Sequence, residues 1–356
     1  MSKRILIDIG HPAHVHYFKN IIKKLSERGH SFKIVARDKE VAHELLNKYS
    51  IEFSNRGSGS NNPVGKFIYL IKGSYLLNQI AKSFNPDIYL SFASPYAAIS
   101  SYVNGKPHIV IDDTDHAILS HKLYAPFSDV FINPSGFKVK FKKGSQIFVK
   151  SFFELTYLHP EYFTPNSELL EKYGIDVNNK YAVIRFVSWN ANHDINAKGL
   201  SLKDRIKLID EISKFCAIHI SSEGKLPASL QKYELKIPPD RIHDVLAGAS
   251  LFIGESGTMS SECAVLGVPN IQIRHTLDKS KVPGVHLNLE KRGLKILKDF
   301  KDISGVIEKA FDILNNLETV TADYRNKKET LINESDDINE ILCDIIGNYP
   351  DSLSKY

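Results

Sequence analysis

Residues 251–269 hold the pattern in this sequence that says most about chemistry. An apolar run at 251–253 leads into a short turn, and a helix-like stretch then continues to Gly267 and Pro269. The turn is made of Gly254, Glu255, Ser256, Gly257 and Thr258. Free N–H groups and the dipole at such a helix start favour a phosphate or pyrophosphate. Glu262 lies one turn after Thr258 on the same face, where its carboxylate can accept hydrogen bonds from ribose hydroxyls. The pattern predicts a nucleotide-sugar site.

A purely structural interpretation of the same spacing is equally open. Gly254 and Gly257 also fit a tight strand-to-helix turn, and Ser256 fits a helix N-cap. Glu262 is then an early acidic residue favoured by the helix dipole. Spacing alone does not separate these two interpretations.

Three histidines follow the first predicted strand, in the run Gly10-His11-Pro12-Ala13-His14-Val15-His16. Histidine changes its charge near neutral pH and therefore suits a general base, so one of the three could take a proton from an incoming hydroxyl. Helix capping or local hydrogen bonding is the alternative for each of them. The spacing could also suit zinc. Because no acidic residue follows closely, we expect no metal here.

A second polar group, Asp113-Thr114-Asp115-His116, follows a later predicted strand. Its Asp-x-Asp spacing resembles the cation site of single-domain, metal-dependent glycosyltransferases, because carboxylates suit Mg²⁺ or Mn²⁺. In a two-domain layout, helix dipoles and N–H groups hold the pyrophosphate and no metal is needed. We favour the second layout, expect no metal or other cofactor, and predict that Asp115 and His116 contact substrate. Ser94, after the preceding strand, belongs to the same rim.

The second half of the chain offers two further donor-side candidates. Arg185 and Ser188 lie at the end of its first predicted strand, where an arginine could pair with a phosphate or form a surface salt bridge. His243 precedes the strand at 251 by eight residues, near the place where a nucleobase would lie. Its neighbour Asp244 fits a helix-start acid equally well.

Composition places the chain among ordinary globular proteins. Its 356 residues suggest about two domains, and 42% hydrophobic with 24% charged residues is usual for that class. A net charge of +5, with the basic residues scattered, argues against nucleic acid as a partner. The three cysteines are far apart, fit neither a disulfide framework nor a zinc ribbon, and indicate a reducing compartment.

No signal-peptide pattern precedes the first predicted strand, and no apolar run approaches the ~18 residues of a membrane span. We therefore predict a cytoplasmic protein that at most touches the inner face of a membrane. The candidate contact is residues 137–153, which combine phenylalanines with lysines and could meet anionic lipid. A solvated strand or loop is the alternative. The lysines are Lys138, Lys140, Lys142, Lys143 and Lys150.

Strand-like and helix-like segments alternate in both halves of the chain, which indicates βαβ units and parallel sheets. The predicted strands are 5–9, 32–36, 87–92, 108–112, 130–133, 181–187, 217–221, 251–253 and 270–274. We predict an α/β, GT-B-like fold with two doubly wound, Rossmann-like domains that face a cleft. The acceptor-side domain is 1–160, the nucleotide-sugar domain is 165–335, and a helical tail at 336–356 could pack on the first domain. The Gly/Ser/Asn-rich stretch 56–63 is interpreted as a flap or a loose connection.

Several of these segments resemble a bacterial and archaeal family of unknown function that is grouped with GT-B glycosyltransferases. They are 7–18 (Ile-Asp-Ile-Gly-His-Pro-Ala-His-Val-His-Tyr-Phe), 36–38, 94–95, 113–117, 243–244 and 254–262, so the resemblance spans nearly the whole chain. The chain is also similar, more distantly, to UDP-N-acetylglucosamine 2-epimerase. There the matching Ser-Gly-Gly holds the diphosphate, and a glutamate spaced like Glu262 holds the ribose. The Arg-Pro-Glu-type motif of that epimerase is absent after the first strand, which counts against epimerisation.

The segment around His14 resembles the Gly-His-Val of the lipid-II-forming N-acetylglucosaminyltransferase, although the glycine-rich loop of that enzyme is Gly-His-Pro-Ala here. This resemblance implies that His14 lies on the acceptor side, with Gly10, His11, His16 and Ser94 around it. It implies a glycosyltransferase that moves a sugar from a UDP-linked donor to a glycan or lipid-linked acceptor in surface-polysaccharide or glycoconjugate biosynthesis.

The resemblance also implies roles for single residues. Ser256, Gly257 and Thr258 would cradle the pyrophosphate, and Arg185 would offset its charge. His14 or Asp115 would act as base. A nucleotide-sugar epimerase and a non-catalytic nucleotide-sugar binding protein remain as alternatives, and the oligomeric state stays open.

Overall fold

The computed structural model describes residues 2–39, 41–60, 62–186, 200–222 and 224–356. The chain forms two compact units. Unit 1 combines Met1–Tyr157 with Ser335–Tyr356, and unit 2 is Leu158–Glu334. Each unit has its own parallel sheet covered by helices, so the predicted fold of two α/β domains is confirmed.

The sheet of unit 1 has seven parallel strands. They are β1 (Arg4–Ile9), β2 (Ser31–Ala36), β3 (Phe53–Asn55), β4 (Ile88–Phe92), β5 (His108–Ile111), β6 (Val130–Pro134) and β7 (Ser145–Val149), in the spatial order β3-β2-β1-β4-β5-β6-β7. The interior strands are buried on both faces, as parallel strands between helix layers must be. Successive strands are added on one side of β1 as far as β3, and from β4 onward they are added on its other side. Ligands of such sheets bind at the carboxyl ends of the strands at this switch point, between β1 and β4.

Several helices of unit 1 begin at residues whose side chains cap the first turn. They are α1 (Pro12–Glu27), α2 (Ala42–Lys48), α3 (Pro63–Phe84), α4 (Pro95–Val103), α5 (Ile118–Tyr124) and the short α6 (Leu155–Leu158), which reaches the boundary of the unit. Ser94 and Asn62 accept hydrogen bonds from the first turns of α4 and α3, and both helices have proline at their first position. A side-chain cap followed by proline therefore fixes the start of each of these two helices.

The sheet of unit 2 has five parallel strands. They are β8 (Tyr181–Phe186), β9 (Ala217–Ser222), β10 (Leu251–Gly254), β11 (Asn270–Arg274) and β12 (Ile296–Asp299), in the order β12-β11-β10-β8-β9. Its helices are α7 (Leu202–Ile212), α8 (Ile242–Gly248), α9 (Gly257–Leu266), α10 (Gly284–Lys291), α11 (Ile303–Asn315) and α12 (Leu317–Glu334). Here the corresponding switch point lies between β8 and β10. The loop after β10 therefore lies where this fold binds ligands.

The last helix, α13 (Ile338–Gly347), belongs to unit 1. Its Glu340 accepts hydrogen bonds from Lys24 and Arg28 at the end of α1, at 2.8 and 2.7 Å. The C-terminal segment therefore belongs to unit 1, the unit on which the sequence analysis expects it to pack. Among the described residues, no helix combines the length and apolarity that a membrane crossing requires.

Three strands escape the prediction from sequence, namely β3, β7 and β12. All three lie at the edge of a sheet. An edge strand is short and partly solvated, so it lacks the continuous apolar run that marks an interior strand.

Candidate functional site

The carboxyl edge of unit 2 is dominated by the start of α9. Ser256 is its N-cap, and its Oγ accepts a hydrogen bond from the backbone N–H of Met259 at 3.3 Å. Helix geometry leaves the N–H groups of the first turn, including those of Gly257 and Thr258, without acceptors inside the helix. The dipole adds about half a positive charge at the same place. The predicted strand, turn and helix start are therefore present, and the arrangement suits an anion.

Gly254 lies against the backbone of β8, and Gly257 lies against the side chain of His286. A Cβ at Gly254 would lie 2.7 Å from the carbonyl oxygen of Arg185, and one at Gly257 would lie 2.7 Å from the ring of His286. Distances below 3.0 Å are not sustained by real Cβ atoms. The glycines therefore let neighbouring groups crowd against the loop and the helix start, a requirement that a simple tight turn does not have.

Two arginines flank this loop. Arg185 is the register partner of Gly254, and its guanidinium donates to Ser221 Oγ at 2.9 Å. Arg274 ends the neighbouring strand β11, and its Nη1 lies 3.1 Å from Nδ1 of His286. Within the described part of the chain, the buried Nε of Arg274 has no hydrogen-bond partner. Burial lowers the pKa of Arg274, although a guanidinium stays charged at neutral pH.

A buried lysine adds a further positive charge behind α9. Lys295 Nζ lies 2.8 Å from Ser261 Oγ and 3.4 Å from the carbonyl oxygen of Gly257. The sequence analysis missed Lys295, Arg274 and His286. Arg274 could have been found, because it stands at the end of a predicted strand, whereas nothing local marks the other two.

Glu262 and His243 form a buried pair. His243 Nε2 lies 3.0 Å from Glu262 Oε1, and the two residues are 3% and 4% exposed. The pair joins α8 to α9. The structure therefore brings together two residues that were predicted to bind the donor separately, one at the nucleobase and one at the ribose.

Glu255 contacts protein groups through both carboxylate oxygens. Oε1 accepts from the backbone N–H of Leu200 at 2.9 Å, and Oε2 forms an ion pair with Arg205 at 3.1 Å. This geometry favours a role in fixing α7 beside the loop over the predicted contact with the donor. Ser188 lies outside the described residues.

The carboxyl edge of unit 1 is built around a buried ion pair. Arg56 donates to both carboxylate oxygens of Asp8, at 2.7 and 3.2 Å, and to the hydroxyl of Tyr69 at 2.8 Å. Ser94 Oγ also donates to Asp8, and the guanidinium stacks on the ring of Tyr96 at 4.1 Å. Both charged side chains are almost fully buried. The interpretation of 56–63 as a loose connection is therefore wrong at Arg56, because the ion pair with Asp8 lies at the centre of the edge.

His14 lies directly beside this network. Its Nδ1 accepts a hydrogen bond from the backbone N–H of Gly10 at 3.2 Å, and its ring stacks on Phe92 at 4.7 Å. Burial, with the nearby positive charges of His11, Lys39 and Arg56, holds the pKa of His14 well below its usual range. The ring is therefore neutral. Since Nδ1 is an acceptor, the hydrogen-bond pattern assigns the proton to Nε2, which makes Nε2 a donor in this arrangement.

The other two histidines have different surroundings. His11 is the N-cap of α1, and its Nδ1 accepts from the N–H of Ala13 at 3.2 Å. His16 is buried on another face of α1, where its Nδ1 lies 3.3 Å from the hydroxyl of Tyr49 and its ring stacks on Tyr157. Residues two positions apart do not share a helix face. The structure therefore brings Gly10, His11 and His14 to the edge but places His16 in the packed interior.

The acidic group after β5 consists of Asp112, Asp113 and Asp115, which differ in their surroundings. Asp112 is buried and accepts from Tyr124 at 2.6 Å and from the N–H of Thr114 at 2.8 Å. Asp113 accepts from Thr114 Oγ1 at 2.8 Å. Burial, together with the carboxylates of Asp112 and Asp115, raises the pKa of Asp113 to about 7. Asp113 therefore exchanges a proton near neutrality, a property that the sequence analysis did not assign to it.

The two residues predicted to contact substrate lie in different environments. Asp115 is 8% exposed, and His116 is exposed. Across the ranges that the structure describes, no group of three or more His, Cys, Asp or Glu side chains is arranged to hold a metal ion.

Comparison with known proteins places the chain in a family. The family described as "Protein of unknown function (DUF354)" matches residues 3–351. The chain belongs to this family. A curated relative, an uncharacterized protein of Methanocaldococcus jannaschii, is 25% identical over 315 residues, which are 85% of this chain and 90% of the relative.

Solved structures show the same fold at low sequence identity. UDP-GlcNAc 2-epimerase of Neisseria meningitidis, bound to UDP-GlcNAc, has a TM-score of 0.63 and 11% identity, covering 93% of this chain and 99% of its own. The spinosyn forosaminyltransferase SpnP has a TM-score of 0.62 and 14% identity over 99% and 100%. MurG of Acinetobacter baumannii has a TM-score of 0.58 and 12% identity over 98% and 100%. The predicted membership and GT-B-like fold are confirmed.

Proposed function

We propose that this protein is a glycosyltransferase that takes a sugar from a UDP-linked donor and moves it to a glycan or lipid-linked acceptor. The observation that carries the proposal is the start of α9 in unit 2. There, open helix N–H groups, close-packed glycines and the cation Arg274 lie where this fold binds ligands, and the buried Lys295 stands behind the helix. A diphosphate matches this positive, donor-rich site. The Neisseria structural neighbour, which carries UDP-GlcNAc, supports the choice of nucleotide.

Unit 1 supplies groups suited to proton transfer. Asp113 has a pKa of about 7, where a general acid or base works best. We assign proton removal to Asp113 rather than to His14, because His14 Nδ1 is engaged with Gly10. His14 Nε2–H then orients an acceptor oxygen. The site is proposed to work in a cytoplasmic enzyme of surface-polysaccharide or glycoconjugate assembly.

The first test is donor binding. A thermal-shift panel of UDP, GDP, CDP, dTDP and ADP, each with and without EDTA, is expected to show a selective, EDTA-resistant shift with UDP. A ligand at 100 times its Kd adds about 2.7 kcal/mol of stability, which is readily detected. Arg274→Gln should weaken UDP binding by roughly 10- to 100-fold, because a charge-assisted hydrogen bond to phosphate is lost.

Arg325→Gln is the matched control, since Arg325 is an exposed arginine of α12 in the same unit. It should bind UDP as the parent protein does. No shift with any nucleotide would reject the donor site, and an EDTA-sensitive shift would instead indicate Asp113 and Asp115 as metal ligands.

The second test concerns chemistry. With the donor identified, Asp113→Asn should lower turnover by about 10²- to 10⁴-fold and remove the rate transition near pH 7, while UDP affinity stays the same. His14→Gln should keep that transition. If the transition near pH 7 persists in Asp113→Asn, the base is another group. Conversion of the donor sugar without an acceptor would indicate an epimerase, and binding without any turnover would indicate a non-catalytic binding protein.

A further inference from the structure

Helix α3 of unit 1 carries a stripe of large apolar side chains on its solvent side. Its members are Val64, Phe67, Ile68, Ile71 and Tyr75, which are 58–70% exposed. Their spacing of three and four residues places all of them on one face of the helix. Single exposed apolar residues are ordinary, whereas a continuous row of five is typical of an interaction surface.

The opposite face of α3 is fixed to the unit. Leu77 and Ala81 pack in a cluster with Leu6, Val35 and Tyr89 from the sheet. Near its start, Tyr69 contacts Arg56 at 2.8 Å. The helix therefore has two apolar faces. One face packs against the sheet, and the stripe remains on the solvent side. The contact with Arg56 also places the first turns of α3 beside the edge that holds Asp8.

The helices around the stripe carry only positive charge. α3, α4 and α5 contain no aspartate or glutamate, while Lys66, Lys72, Lys82 and Lys122 are distributed over α3 and α5. This charge is complementary to an anionic surface. An exposed apolar row on a helix that carries lysines and no acidic residue is typical of helices that lie in a lipid headgroup region.

A second exposed apolar pair stands at the same edge. Ile118 and Leu119 begin α5 and are 64% and 72% exposed. Because α3 follows β3 and α5 follows β5 in a parallel sheet, both helices start at the carboxyl edge. The two exposed groups therefore border the same side of unit 1.

We propose that the α3 stripe, with the start of α5, docks unit 1 on an anionic membrane surface. The stripe from residue 64 to residue 75 is about 16 Å long, which suits shallow insertion parallel to the bilayer and not a crossing. Docking here sets the edge that carries His14 and Asp113 at headgroup level. A lipid-linked acceptor would be accessible there, a consequence that rests on the proposed function, whereas docking itself does not.

This surface replaces the one expected from sequence. In residues 137–153, Phe137 and Phe153 are buried and Phe141 stacks on Phe131 at 4.1 Å. Phe148 is half exposed. The lysines of that segment are on the surface, but most of its aromatic side chains pack inward, so it lacks the apolar row that lipid insertion requires.

Vesicle co-sedimentation of the full chain tests the proposal. We expect binding to phosphatidylcholine vesicles with 30% phosphatidylglycerol, weaker binding to phosphatidylcholine alone, and no dependence on UDP. The triple variant Phe67→Ser, Ile68→Ser, Ile71→Ser should bind at least about tenfold more weakly, since three insertable side chains are removed. The matched control is Tyr102→Ser with Val103→Ser. These residues are 64% and 62% exposed and lie at the far end of α4, so binding should be unchanged.

Charge is tested separately. Lys72→Gln should lower binding to the anionic vesicles about fivefold at low salt, because Lys72 borders the stripe and a lysine near such a surface contributes about that factor. A thermal unfolding curve like that of the parent protein shows that each variant is folded. Absence of binding by the parent protein overturns the proposal, as does equal binding by the triple variant. Concentration-dependent self-association through the stripe without vesicle binding would assign it to a second copy of the chain.

Discussion

The carboxyl edges of the two sheets occupy equivalent places in their units but are built from opposite electrostatics. In unit 1, Asp8 and Arg56 neutralise each other in a buried site, and His14 beside them is held neutral. In unit 2, Arg274 and Lys295 bring positive charge to the start of a helix whose dipole is already positive. The central charges of the first edge are paired, whereas the second edge carries positive charge that an anion would balance.

This difference shows how one type of sheet can perform two tasks. Desolvation at the first edge raises the pKa of Asp113, the proposed base, and lowers the pKa of His14, which stays neutral. The helix start at the second edge is the element to which the proposed function assigns the phosphate. In the proposed transferase, these two tasks belong to different units.

The largest expected effect comes from breaking the buried ion pair at the carboxyl edge of unit 1. Asp8→Ala leaves the buried Arg56 guanidinium without its partner and should cost about 3–5 kcal/mol of stability. The comparison variant is Asp87→Ala, because Asp87 pairs with Arg4 in the same unit with both side chains partly exposed. That loss should stay below about 1 kcal/mol. Urea unfolding of both variants measures the contrast, and equal losses would show that the Asp8 pair is not special.

The next effect is a pH dependence that sharpens the contrast. His108 is fully buried between the hydroxyls of Ser91 and Ser128, at 2.8 Å each, and burial lowers its pKa to about 3. The unfolded chain takes up this proton near pH 6.5. The contribution of His108 to the free energy of unfolding is therefore complete above pH 6.5. It declines as the pH falls, by about 2 kcal/mol at pH 5.

The check is the urea midpoint of the parent protein and of His108→Gln at pH 7 and pH 5. His14 acts in the same direction, so the variant should lose part of the dependence and not all of it. Identical slopes for the two proteins would mean that His108 is not the titrating group.

The smallest effect concerns the positive edge. Ser256→Ala removes the N-cap of α9 and should cost about 1 kcal/mol of stability. Ser201→Ala does the same for α7, where Ser201 accepts from the N–H of Asp204 at 3.1 Å. Thermal unfolding should therefore shift equally in both variants. UDP affinity, measured by calorimetry, should fall only in Ser256→Ala. Equal UDP affinity in the two variants would show that Ser256 acts only as a helix cap.

The sequence predicted the interior of each sheet well and its borders poorly. Strands β1, β4, β5 and β10 are covered on both faces and appear as continuous apolar runs. The missed strands are edge strands, whose partly polar sequences match loops equally well. Loop 56–63 was misjudged at Arg56 for a related reason. No residue near Arg56 in the sequence indicates that its charge pairs with Asp8, which lies far away in the chain.

The sequence by itself determined the α/β class, the loop and helix start at 254–262, and the polar groups at the strand ends. These follow from local patterns, because helix caps, turns and apolar periodicity act over a few residues. Only the tertiary structure decided the partners: Arg56 for Asp8, His243 for Glu262, Arg205 for Glu255 and Gly10 for His14. Three of these pairs join residues far apart in the sequence. The protonation of His14 and Asp113 depends on burial, which exists only once the chain has folded.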